Sequence, residues 1–145
     1  HHRTIRDGSI GFVAPKIRKD LEFPELVKAN AQANFTGALQ ALEDGWLTKG
    51  KYLVGDEVTL ADLAAYVEIG QTRAEFTNVY DFSPFPSVQR WLDNMAKIEG
   101  HDEVHVVLAD LGDISRESPS MDAIRSANKH ALQVLKDKIE SIKQD

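Results

Sequence analysis

His101-Asp102-Glu103-Val104-His105 is the shortest stretch of this chain whose residue types and spacing carry recognisable chemistry. Two imidazoles four residues apart share one face of a helix and are spaced to hold a zinc ion. The zinc-protease pattern, however, puts Glu directly after the first His, where this chain has Asp102, and no later ligand completes the set. Asp102 and Glu103 fit instead the first turn of a helix, where the dipole favours negative charge. No metal is assigned. Arg3, Arg6, Lys16, Arg18 and Lys19 make the opening segment basic, a pattern that usually marks a solvated face. Trp46 and Trp91 lie in apolar stripes at helical spacing, which is the pattern of a core rather than of a ligand pocket. No phosphate-cradling glycine loop, nucleophile elbow or paired-carboxylate spacing occurs, so the sequence offers no complete catalytic apparatus.

Composition narrows the classes further. With 0 Cys, thiolate metal sites, CxxC redox chemistry and cysteine nucleophiles are excluded, and any thiol must be borrowed from another molecule. The balance of 17 Lys+Arg against 23 Asp+Glu gives a net charge of −6, so the field that draws a protein to nucleic acid is missing and none is expected as a partner. The apolar runs 63–67 and 104–108 fall far short of the roughly 20 residues of a membrane span, and no leader peptide is recognisable, so no membrane and a cytoplasmic location are expected. At 145 residues with 42% hydrophobic and 28% charged, the chain reads as one globular domain over 1–145.

The elements that must position these groups are all helical by spacing. A first helix is predicted over about 2–19, where Gly8, Gly11 and Pro15 lower the propensity so that packing must hold it. A second begins near Pro24, a good first-turn residue, and carries Phe35, Ala38, Leu39, Leu42 and Trp46 on one face. After a loop over 48–58, Thr59-Leu60-Ala61-Asp62 opens the next helix as a capping box with Asp in the place of Glu or Gln, flanked by Val58 and Leu63 at the positions of a hydrophobic staple. That helix is expected to run through Leu63, Tyr66, Val67 and Gly70 to about Phe76. Val88, Trp91, Leu92, Met95 and Ile98 mark another, 102–111 a short one, and Ile124, Ala131, Leu135, Ile139 and Ile142 one face of a last helix.

Three stretches together resemble the all-helical carboxy-terminal domain of the glutathione S-transferases, and within that family the theta class. Lys51-Tyr52-Leu53-Val54-Gly55-Asp56-Glu57-Val58-Thr59-Leu60-Ala61-Asp62-Leu63 is similar to the family's cap-and-staple motif at its central helix. Pro86, Val88, Trp91, Leu92 and the stretch 101–105 look like the two helices that follow. His1-His2-Arg3-Thr4-Ile5-Arg6-Asp7-Gly8-Ser9 resembles the theta helix that opens the domain, which argues against reading the two histidines as the stub of a tag. The likeness runs over about 1–108, and the tail from Leu111 diverges.

The resemblance implies an all-α helical bundle, likened to the half of a glutathione transferase that lines the pocket for the electrophilic substrate and supports a homodimer. The thioredoxin-like domain that binds glutathione and activates its thiol is absent from this chain, so the piece alone is expected to be inactive. It needs no cofactor, glutathione being a co-substrate of the full protein alongside a hydrophobic electrophile. Arg6 falls where theta relatives carry an arginine facing that pocket, and Ser9, Ile10 and Val13 lie one to two turns on; these four are the implied substrate-binding residues. Thr59 and Asp62 are the structural cap. The rival reading from the same fold is a non-catalytic interaction module like those appended to translation elongation factors and aminoacyl-tRNA synthetases, favoured by the charged tail 116–145.

Overall fold

Helix is the only regular structure among the described residues, which are 2–143 of the computed structural model, with side chains from Thr4 onward. The reading of the His1-His2 pair therefore falls outside them. A lone bridge between Tyr52 and Gly55 is not extended into a strand.

The opening helix is continuous but built in three pieces: α1 (His2–Gly8), a widened π turn over Ser9–Val13, and α2 (Ala14–Ile17). Its glycines are explained by α3 (Glu25–Ala41), which crosses it at contact distance. A Cβ on Gly8 would lie 2.6 Å from the Phe35 ring, and one on Gly11 would lie 3.0 Å from the Gln32 backbone nitrogen. Gln32 secures the crossing by donating from Nε2 to the Gly11 carbonyl at 2.9 Å. Pro24 caps α3 rather than entering its first turn. The stripe Phe35, Ala38, Leu39 and Leu42 is buried, whereas Trp46 leaves it. A second π turn over Leu42–Trp46 adds a residue to the turn and shifts the phase, leaving the indole 50% exposed.

α4 (Leu60–Ile69) begins at the capping box formed by Thr59 and Asp62. Oδ2 of Asp62 accepts from the Thr59 N–H at 2.9 Å and from its hydroxyl at 2.8 Å, while Oδ1 accepts from the Leu53 N–H at 2.8 Å and from the Trp91 indole at 2.9 Å. Those four donors require Asp62 to be inside, and this sets the rotation of the helix. The buried face is Asp62, Ala65, Tyr66 and Ile69, which leaves Leu63, at the expected staple position, and Val67 47% and 57% exposed. Val58, the other staple position, is also exposed. The helix stops short of Phe76: after a 3₁₀ turn over Gly70–Thr72 the chain extends at Arg73, and the hydroxyls of Thr72 and Thr77 donate to the carbonyls of Ile69 and Gln71.

α5 (Pro86–Met95) buries Val88, Trp91, Leu92 and Met95. Its first turn is held from across the core by Glu43, whose carboxylate accepts from the N–H groups of Ser87 at 2.8 Å and Val88 at 2.9 Å. Ile98, read as part of this helix, packs against the core from beyond its end. The core thus joins α1, α3, α4 and α5, with Phe35, Leu39, Leu47, Ile69, Val88 and Trp91 fully enclosed.

The helix expected over 102–111 is broken into α6 (His101–Val104) and α7 (Val106–Leu111) at His105, whose Nδ1 donates back to the His101 carbonyl at 2.6 Å. α8 (Met121–Ile142), capped by Ser120, runs back along both, with Asp110 against His130 and Glu103 against Lys138. Only Ala127 and Ala131 of α8 are buried; Ile139 and Ile142, expected to share a face with Ala131, are 52% and 64% exposed because α6 and α7 together are shorter than α8. The unit α6–α8 is tied to the body by the histidine rings against Tyr66 and Phe76, by the Ile114 N–H donating to the Thr77 carbonyl at 3.1 Å, and by Lys16 donating to the Ser115 carbonyl at 2.6 Å. No described helix is long and apolar enough to cross a membrane.

Candidate functional site

Where the opening helix meets the end of α4, the π turn turns Ser9 toward the α4 backbone. Gln71 Nε2 donates to the Ser9 hydroxyl at 2.6 Å and to the Glu68 carbonyl at 3.1 Å, and the Ser9 hydroxyl donates to Glu68 Oε2 at 3.2 Å. Arg6, one turn earlier, brings Nε to 4.0 Å from Glu68 Oε1 with its side chain 69% exposed. Arg6, Asp7, Ser9, Ile10 and Glu68 line an open recess of about 550 Å³, a size that accommodates a small organic molecule.

Of the four implied substrate-binding residues, Arg6, Ser9 and Ile10 therefore come together, and Val13 does not. Val13 is 4% exposed, because the extra residue in the π turn rotates it away from the recess and into the protein. Spacing counted on an ordinary α-helix misplaces it. Glu68 and Gln71 were not legible as site residues, since nothing in a sequence says which exposed positions of one helix meet another. Two carboxylates, Asp7 and Glu68, share the recess with the guanidinium, which approaches Glu68, so it is not a bare cationic pocket. At the outer edge of ion-pair distance and largely in solvent, the Arg6–Glu68 contact is weak, and the guanidinium retains donors for a second anion.

A second recess, beside Arg73, carries the better-buried cation. That guanidinium, 8% exposed, donates to the Leu92 carbonyl at 3.0 Å, to Asp93 at 2.7 Å and to Glu75 at 3.1 Å. All three faces of its fork are occupied by the protein, and its work is to join the end of α5 to the turn after α4.

His101 and His105 do lie together, with ring centroids 4.3 Å apart. Three of their four nitrogens are turned to other uses: His101 Nε2 bonds the Tyr66 hydroxyl at 2.8 Å, its Nδ1 lies 2.9 Å from Asp102, and His105 Nδ1 meets the His101 carbonyl. Among the described residues no group of three potential ligands assembles. Burial, the largest influence on His105, pushes its pKa below the ordinary value, so the ring is held neutral.

Residues 8–99, well over half of the chain, match the family model described as glutathione S-transferase, C-terminal domain. The match runs from the first close helix crossing through the capping box to the end of α5, and leaves α6–α8 outside it. No curated protein and no solved structure matches the chain.

Proposed function

The chain belongs to the glutathione S-transferase C-terminal domain family, and from that premise we propose that it is the electrophile-binding half of a theta-like glutathione transferase. In this reading a partner domain binds glutathione and lowers the pKa of its thiol. This domain holds the second substrate so that the thiolate attacks an electrophilic carbon, with proximity and thiolate formation supplying the rate. What supports it most is the recess on the first helix, where an exposed guanidinium at Arg6 stands beside the Ser9 hydroxyl and the apolar Ile10. An anionic group or a departing anion pairs with Arg6 in competition with Glu68, and the apolar part of the substrate lies against Ile10. A homodimer and a cytoplasmic location belong to the same proposal.

The test is a conjugation assay on the complete gene product with glutathione and a panel of alkyl halides, epoxides and activated aryl halides. Saturable thioether formation above the uncatalysed rate supports the reading; none across the panel, with glutathione shown not to bind, rejects it. A second reading, a non-catalytic interaction module, is favoured by one observation, the α6–α8 unit lying outside the matched residues. It predicts the latter outcome.

A further inference from the structure

α8 uses only part of its apolar surface. Ala127 and Ala131 are buried against the neighbouring helices, but one row over Met121, Leu132 and Ile139 are 55%, 60% and 52% exposed, with Leu135 half-buried between them and Ile142 64% exposed at the end. These positions recur at spacings that keep them on one side of the helix. A basic row runs beside them. Arg125 stands one turn after Met121, Lys129 three residues before Leu132, Lys136 between Leu132 and Ile139 at four and three residues, and Lys143 four residues after Ile139. Among the described residues Lys129, Lys136 and Lys143 enter no ion pair, and Arg125 meets only the exposed Asp122 at 3.2 Å.

An apolar stripe bordered by a basic row whose three lysines are unpaired is half of an amphipathic helix pair. We propose that this face of α8 docks an acidic amphipathic helix of a partner protein, whose Leu or Ile side chains cover Leu132, Leu135 and Ile139 while its carboxylates meet Lys129, Lys136 and Lys143. Two other occupants fit less well. A bilayer asks for a broad apolar face, but here the stripe is narrow: the adjoining Ala127 and Ala131 are turned into the protein, and Asp122, Asp137 and Glu140 bound it beyond the basic row. A second copy pairing about a two-fold axis sets one basic row against the other. The inference concerns a unit outside the matched residues and holds whether or not the protein conjugates glutathione.

The test uses the intact chain and two labelled synthetic helical peptides, both with Leu and Ile at the a and d positions of their heptads. One carries Glu at e and g, the other Lys. Fluorescence anisotropy is expected to show saturable binding of the acidic peptide, weakened by salt, and none of the basic one. In Lys129→Glu/Lys136→Glu, binding of the acidic peptide falls by about tenfold or more and the basic peptide gains affinity; Leu132→Asp weakens the acidic peptide comparably. These positions are exposed, and unchanged melting curves separate docking from folding. Equal binding of the two peptides, or insensitivity to the charge reversal, overturns the proposal. So does co-sedimentation of the chain with phosphatidylcholine/phosphatidylserine vesicles, or dimerisation abolished by Leu132→Asp, in the absence of peptide binding.

Discussion

Asp62 does more than cap a helix. Its two oxygens take donors from the loop before α4, from the cap itself and from the indole of α5, so one fully buried carboxylate fixes three segments relative to one another. Asp62→Ala leaves the Leu53 and Thr59 amides and the Trp91 indole without that acceptor, at about 1–3 kcal/mol for each orphaned donor that stays buried. The melting temperature followed by circular dichroism should fall by about 10 °C or more. Burial raises the Asp62 pKa, but the four donors outweigh it and hold the carboxyl below its ordinary 3.8. Glu43, with its two backbone donors, is likewise lowered overall against the effect of burial, and Asp113, bonded to Ser115 and Asn78, is lowered to about 2. A carboxyl lowered on folding stabilises above its unfolded pKa, and that stability is lost as pH falls through the folded one. His105 acts at a higher window. Its folded pKa lies below 6.5, so the unfolded chain binds the proton first, and the stability from this ring is present above about pH 6.5 and lost as pH falls below it. Denaturant titrations should therefore show a plateau above pH 6.5, a first decline below it and a second below about pH 4. His105→Phe, which keeps the stack on Phe76, should remove the His105 share of the first decline, and an unchanged slope from pH 7 to 5.5 would contradict the assignment.

The same sequence signals have different fates at the scale of elements, and the reason is local. The capping motif was legible because its partners lie within four residues, and α5 because a strong apolar stripe follows its proline. The stripe ending in Trp46, and the grouping of Val13 with Ser9 and Ile10, both assume 3.6 residues per turn, and each fails at a π turn that no local signal announces. The rotation of α4 has another cause: the capping motif puts Leu63 at a staple position, but a carboxylate with four internal donors outweighs that contact, and Leu63 is 47% exposed. Glycine gives a direct check on the helix crossing. Gly8→Ala raises helix propensity by about 1 kcal/mol, yet places a methyl 2.6 Å from the enclosed Phe35 ring. It should destabilise by about 1–3 kcal/mol. Gly37→Ala, in α3 with nothing within 4 Å of the new Cβ, should stabilise by about 0.5–1 kcal/mol. Chemical denaturation of both variants measures the difference, and a Gly8→Ala protein as stable as Gly37→Ala would mean that the helices do not touch there.

For the whole molecule, a helical body that matches the family over residues 8–99 is joined to a three-helix extension beyond the matched residues. The two differ in what they expose. The body presents Arg6, Ser9 and Ile10 where the first helix meets α4, and the extension presents the apolar stripe and basic row of α8. Neither was readable as a surface from spacing alone, because both depend on which sides of the helices the packing consumes. The claim on which the functional reading depends is that Arg6 meets the second substrate. Steady-state conjugation kinetics of the complete gene product, wild type against Arg6→Ala, test it most directly. Loss of one charge-assisted contact predicts a kcat/KM lower by about ten- to a hundredfold toward electrophiles that carry or release an anion, with a melting temperature within about 2 °C of wild type, since the side chain is 69% exposed and only weakly paired. Equal kcat/KM for both proteins across such electrophiles would contradict the account.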